Sequence, residues 1–183
     1  MDAGSGSGLF SLAAKKLGAA RVYSLDFDPA AVWCARELKT TYFESDADWI
    51  IAEGSVLDSD HMKSLGLFDY VYSWGVPHHT GSMWLALHNL SLLVKKGGYI
   101  CTALYNRQPL ASKYWQVVKR IYNRWKMIRP VVIFIHLIYP TLPSLAINKI
   151  KGRKISRGMS YWYDLLDWLG GYPFEVSSPK EVF

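Results

Sequence analysis

Glycine stands at every second position in the run Asp2-Ala3-Gly4-Ser5-Gly6-Ser7-Gly8, and an alanine-rich stretch begins at once at Leu9. Three positions without a Cβ let the backbone take positive φ and let a ligand come close to it. The run reads as a bare turn between a strand and a helix. It is not spaced for a dinucleotide: that fingerprint puts its third glycine three places after the second, whereas Gly8 follows Gly6 by two. An acid, Asp2, also precedes the first glycine. A carboxylate at the mouth of a phosphate cradle is unfavourable, and it suits a ligand carrying positive charge.

Beyond the turn, helical and strand periods alternate. Residues 9–17 form a short helix pattern stopped by Gly18. Residues 21–27 (RVYSLDF) are β-branched and aromatic, a strand. Asp28-Pro29 supplies an N-cap with proline at the first helical position, opening a helix to about Lys39. Residues 49–56, 69–76 and 99–105 read as three further strands. Met83, Leu87, Leu90 and Val94 make one helical stripe over residues 82–94, ended by Gly97-Gly98. Strands separated by helices imply crossovers and a parallel sheet covered on both faces. Half of the 183 residues are apolar, enough for such a core and too many for a disordered chain. The fold class expected is α/β, Rossmann-like, mostly parallel. Cys34 and Cys101 exclude a disulfide scaffold or a four-thiolate zinc site, and their apolar surroundings read as buried thiols.

Charge is divided along the chain. Residues 1–69 hold eleven acids against six bases, whereas residues 70–163 hold no acid and fourteen bases. A stretch of that kind faces either water or something anionic. Within it, residues 112–129 place Val118, Ile121, Trp125 and Ile128 on one stripe, with Lys113, Lys119, Arg120, Arg124, Lys126 and Arg129 mostly off it. The apolar run VVIFIHLIY between Pro130 and Pro140 is too short to span a bilayer as a helix, which takes about twenty residues. Lys149, Lys151, Arg153, Lys154 and Arg157 form a second basic cluster. The chain is read as a single domain: an α/β core over 1–108, a basic amphipathic insertion over 109–160 and a C-terminal remainder over 161–183. The insertion reads first as a lid helix, then as a contact for an anionic membrane surface through 113–157, and last as an RNA grip with Tyr114, Trp115, Tyr122 and Trp125 as stacking faces. Nucleic acid is the least favoured of the three.

Several residues fall where α/β sites form, past the carboxyl ends of strands. Asp26 ends the second strand eighteen residues after Gly8 and can accept hydrogen bonds from both hydroxyls of a ribose. Gly54-Ser55 could present backbone and hydroxyl groups to an adenine edge, or be a plain turn. His79, then His78, are candidate proton acceptors, since imidazole titrates near neutral pH; the alternative is that they cap a helix or pack under the loop. Tyr105 and Asn106 end the last strand and are candidates for touching substrate. Adjacent histidines without nearby Asp, Glu or Cys do not suit zinc, so no metal is expected.

Taken in order, DAGSGSG, SLDFDP, GSVLD, FDYVYSWGVPHHTG and LLVKKGGYICTALYN resemble the class I S-adenosylmethionine-dependent methyltransferases over roughly residues 2–106. The PHHTG segment is most similar to the small-molecule, quinone-type branch. The resemblance implies S-adenosylmethionine as cofactor, S-adenosylhomocysteine as product and a small-molecule or lipid-like acceptor. Gly4, Ser5, Gly6 and Gly8 would line the methionine part and Asp2 would sit near its amino group. Asp26, with Phe27 beside it, would hold the ribose, Ser55 and Val56 the adenine, and Trp74 would lie beside the methyl-bearing side. Relatives have a strand directly before the first acid and further strands at the end. The first and final strands are therefore expected to be missing here, as in a fragment. The location expected is cytoplasmic, with peripheral membrane contact as an extension; nothing in the residues sets an oligomeric state. Two rivals remain: a non-catalytic S-adenosylmethionine-binding or membrane-associated module, and a nicotinamide-dependent oxidoreductase, against which the glycine spacing and Asp2 argue.

Overall fold

Five parallel strands lie in the order β3-β2-β1-β4-β5. They are β1 (Asp2–Ala3), β2 (Val22–Asp26), β3 (Trp49–Glu53), β4 (Phe68–Trp74) and β5 (Val94–Ala103). A parallel neighbour needs a crossover, and helices supply it: α1 (Leu9–Lys16), α2 (Pro29–Phe43), α3 (Ser59–Ser64) and α4 (Met83–Ser91). The computed structural model describes residues 1–141 and 160–182, in two compact units, Met1–Tyr105 and Asn106–Phe183.

Helices lie on both faces over the middle of the sheet, whereas Tyr70 and Trp74 of β4 and Tyr99 of β5 are exposed. Leu25, Val71 and Ala3 pack on Met62 of α3 and on Ala86 and Leu90 of α4. On the other face Val22 and Trp49 pack with Leu12 of α1 and with Leu38 and Phe43 of α2. The N-cap at Asp28 is as expected: its carboxylate accepts from Ala30 N at 3.0 Å.

Three expectations need correction. The first strand is present, but only as Asp2–Ala3, which pairs with Ser24 and Leu25 of β2 and with Tyr72 of β4. Gly97-Gly98 does not end a helix. α4 stops at Ser91, and β5 starts at Val94 and runs through the glycines. Gly97 has φ +80°, and a Cβ at Gly98 would come 2.7 Å from Asp69 O. The pair lets extra residues loop out where the β4–β5 register shifts between Phe68 and Tyr70. Cys34 is exposed, because α2 turns Val32 and Ala35 inward and leaves Cys34 between them facing out; Cys101 is only half-buried. The short α3, not anticipated, is capped by Asp58, whose carboxylate accepts from His61 N at 3.0 Å.

The second unit holds α5 (Pro109–Arg124), α6 (Arg129–His136), α7 (Tyr161–Gly170) and α8 (Pro179–Val182). Tyr122, Val132, Leu165 and Leu169 form its buried core, with Trp115 and Val118 against them. Of the stripe expected on α5 only Val118 packs inward. Ile121, Trp125 and Ile128 are exposed, whereas Lys119 is fully buried. Its ammonium donates to Trp168 O and lies 4.0 Å from the Trp168 ring centroid and 4.8 Å from that of Phe174. The aromatic wall gives a cation a place that an aliphatic side chain would otherwise fill.

Burial pushes the Lys119 ammonium down to about 8, with the Asp167 carboxylate opposing. The unfolded chain then holds a proton between about pH 8 and 10.5 that the native chain has lost, so stability rises with pH across that window. Lys119→Met is expected to remove this rise. The difference in unfolding free energy between wild type and variant should change by roughly 2–3 kcal/mol in favour of wild type from pH 8 to pH 10, read by urea unfolding.

Candidate functional site

The strand order reverses at β1: the chain leaves it toward β2 and β3 and comes back on its other side as β4 and β5. Loops at the carboxyl ends of β1 and β4 therefore diverge and leave a crevice, the usual place for a ligand in such sheets. The glycine turn follows β1. Gly4 N and Ser5 N donate to Leu25 O at 2.7 and 3.1 Å, and Gly8 N donates to Ser5 O at 2.9 Å. Gly4 has φ +75°, and a Cβ there would lie 2.2 Å from Val76 Cγ2 in the loop after β4. Gly6 has φ +54° and open space where its Cβ would be. One glycine thus allows two loops to touch, while the next leaves bare backbone toward the crevice.

Asp26 points at this turn. Its carboxylate accepts from Gly6 N at 2.7 Å and from Asp28 N at 2.9 Å. Asp2 sits deeper. It is 6% exposed, and Ser11 Oγ donates to its carboxylate at 2.5 Å. Ser24 Oγ lies 2.6 Å from Ser11 Oγ, and the Trp49 indole donates to Ser24 Oγ at 2.9 Å. Ser11 has one proton and gives it to Asp2, so Ser24 must donate to Ser11. Four elements are thereby joined by one directional buried chain ending on a carboxylate. Burial pushes the Asp2 carboxyl above its ordinary range. The Ser11 hydrogen bond and the terminal amine of Met1 act against that shift, and the Asp26 charge adds to it. Sequence reasoning found Asp2 and missed Ser11, Ser24 and Trp49. The available signal was a serine on the inward face of α1, where an apolar residue would be ordinary.

Past β4, Pro77–His79 form a 3-10 turn. His78 is 2% exposed and its ring lies 3.9 Å from that of Tyr105; His79 is half-buried, 5.6 Å from Tyr105. The three rings form one cluster at the carboxyl ends of β4 and β5. Trp74 is exposed and stacks on Tyr72 at 6.1 Å. Phe27 is exposed beside Asp26. Ser55 Oγ accepts from Leu57 N at 3.1 Å, which makes it a turn-former as well as a candidate contact. Val56 is a core residue whose carbonyl accepts from Asn89 Nδ2 at 2.8 Å, so its side chain does not face the crevice. Asn106 lies in the second unit, bridged to Ser177. A cavity of about 840 Å³ touches Asp2 and Ser11 but not the glycine turn or Asp26; it lies toward the amino ends of the strands, with Val22 and Tyr23 on one wall and Phe68 and Tyr70 on the other. Among the described residues no cluster of His, Cys, Asp and Glu could hold a metal ion.

Comparison with known proteins gives the family and the fold. The family model of the methyltransferase domain matches residues 1–102, and the chain belongs to that family. Over 37 residues, 20% of this chain and 12% of the relative, it is 57% identical to the ribosomal protein L11 methyltransferase of Symbiobacterium thermophilum. PKMT2 from Rickettsia typhi shares the fold at a TM-score of 0.63 and 19% identity, covering 98% of this chain and 36% of its own. Its complex with AdoHcy gives 0.57 and 20%, covering 97% and 35%. YcgJ from Bacillus subtilis gives 0.54 and 16%, covering 66% and 50%. The chain thus spans half or less of the length of each.

S-adenosylmethionine is the cofactor of this family, and the residues present fit it. Bare backbone at Gly6 leaves room for a ligand, the Asp26 carboxylate stands at the turn, and Ser5 Oγ is buried without a hydrogen-bond partner among the described residues.

Two outcomes are expected from the geometry. Ser11→Ala should cost about 1–3 kcal/mol at pH 7, because it strips the buried Asp2 carboxylate of its donor. The folded pKa of Asp2 is already raised, so stability from this group is fullest in acid and is lost as pH rises through that value. The variant should therefore approach wild type as pH is lowered, in urea unfolding. Gly6→Ala and Gly4→Ala should differ in degree: the first, strained only by its positive φ, lowers the melting temperature slightly and weakens S-adenosylmethionine binding in calorimetry, whereas the second, clashing with Val76 as well, lowers the melting temperature much further.

Proposed function

We propose that the protein transfers a methyl group from S-adenosylmethionine to a small-molecule or lipid-like acceptor. The observation that carries this reading is the Asp26 carboxylate aimed at the bare turn, 2.7 Å from Gly6 N. When bound, the cofactor supplies a sulfonium methyl that is already activated, so the chain's own residues need mainly to align an acceptor.

Gly4, Ser5, Gly6 and Gly8 are proposed to hold the methionine part through their backbone, with Asp2 beneath them supplying negative charge. Asp26 takes the ribose hydroxyls, with Phe27 alongside. Ser55 and the backbone of Val56 meet the adenine edge, and Trp74 flanks the methyl-bearing side. Two carboxylates near one cradle favour a cationic ligand over a neutral one, which suits uptake before transfer and release after it.

A proton acceptor is needed only for an acceptor that must lose a proton. His79, half-buried and at the end of the crevice-facing strand, fits that role better than His78, which is enclosed against Tyr105. His78 and Tyr105 then position His79 by ring contact, and Tyr105 lines the acceptor side. Asn106 is the least supported of the substrate residues.

Labelled methyl from S-adenosylmethionine, offered with fractionated cell extract, should enter a small or lipid-soluble product. Asp26→Asn should weaken cofactor binding about tenfold to a hundredfold. His79→Gln should leave that binding unchanged and slow transfer by about 10²–10⁴, most strongly near neutral pH. Label found in no acceptor refutes the activity, and a His79→Gln rate equal to wild type at every pH refutes the proton acceptor alone.

A further inference from the structure

The second unit exposes a face that its own packing does not explain. On α5 the interior takes Ser112, Lys119 and Tyr122, while Leu110, Val117 and Ile121 point outward at the spacing of one helical stripe, continued by Trp125. Leu110 is 85% exposed and Trp125 56%. The turn after α5 adds Met127 at 93%, and α6 adds Phe134 at 63%. Apolar side chains this bare, on two successive helices, exceed the scattered exposure normal for a protein surface. Lys113, Arg120, Arg124 and Lys126 are exposed on the same segment, which itself holds no acid.

We propose that this face of α5 and α6 docks on an anionic lipid surface, lying in the headgroup region with Leu110, Val117, Ile121, Trp125 and Phe134 inserted and the cations on lipid phosphates. A helix that lies in such an interface has this arrangement, an apolar stripe flanked by Lys and Arg with Trp and Phe among the apolar residues. Among the described residues no helix is long and apolar enough to cross a membrane, so contact is from one side. The basic cluster at 149–157 lies outside the described residues, and the surface stands without it. A protein partner for so basic a face would have to bring acids to meet it, whereas an anionic bilayer brings phosphates at high density. The inference is independent of the methyl-transfer reading and gains a use from it, since a docked enzyme would meet a lipid-like acceptor at its source.

The test is flotation of the whole chain with vesicles of phosphatidylcholine alone and with vesicles in which phosphatidylglycerol replaces part of it. Four cations at the surface should make binding to the anionic vesicles roughly a hundredfold tighter or more, and salt should weaken it. Lys113→Gln, Arg120→Gln and Arg124→Gln together should erase most of that preference. Val117→Asp with Trp125→Asp, both at exposed positions, should reduce binding at least tenfold while the circular dichroism spectrum and S-adenosylmethionine binding stay as in wild type. Absence of binding, equal binding to both vesicles, or full binding by the Asp variant overturns the proposal. So does a concentration-dependent dimer that the Asp variant abolishes in the absence of lipid binding, which would give the face to a second copy.

Discussion

A buried carboxylate at the centre of a parallel sheet is the constraint around which the first unit is arranged. Asp2 cannot stay ionised in that position without donors, and its donor is a serine on the next helix. Ser11 in turn accepts from Ser24, and Ser24 from Trp49. The proton order along this chain is forced once Asp2 is an acceptor. It fixes the azimuth of α1 over β1 and β2, and so the point where the glycine turn must enter the helix. The cost of burying the charge and the placement of the turn are two aspects of one arrangement.

The same turn is compressed from the other side. Gly4 has Val76 against it, so the loop after β4 cannot move toward the crevice without a clash. Gly6 meets nothing. Between the two lies the difference between a glycine needed for packing and one that leaves backbone open, and Asp26 selects the open one by accepting from its N–H. Sheet order decides the rest: because β4 returns on the far side of β1, the His78, His79 and Tyr105 rings stand across the crevice from Asp26 and not beside it.

Much of this was legible in the residues because short-range chemistry wrote it. Glycines at alternate positions, an aspartate before a proline and β-branched runs each carry their own local preference, and the strands and the site loops came from them. The misreadings came where a distant neighbour outweighed a local one. Gly97-Gly98 looks like a helix stop until Asp69 of the neighbouring strand β4 is seen to need room. Val56 looks like an adenine contact until it is found in the buried cluster with Leu25 and Leu90. Ser11, Ser24 and Trp49 have no spacing that marks them as a set, since three elements of the fold bring them together.

Helix α5 is the sharpest case. Its periodicity is strong, and the usual inference is that the apolar stripe faces inward and the cations outward. Here two apolar stripes exist, and only one can be buried. The aromatic wall of Trp168 and Phe174 decides between them by offering a π-face and a carbonyl, which a lysine satisfies. Once Lys119 goes in, Val117 and Ile121 are carried to the outside by helix geometry alone. The exposed apolar face is therefore a consequence of burying a cation. A sequence that tolerates the burial of an ammonium, pushed down to about 8 by that environment, gains in return a surface free to meet something other than water.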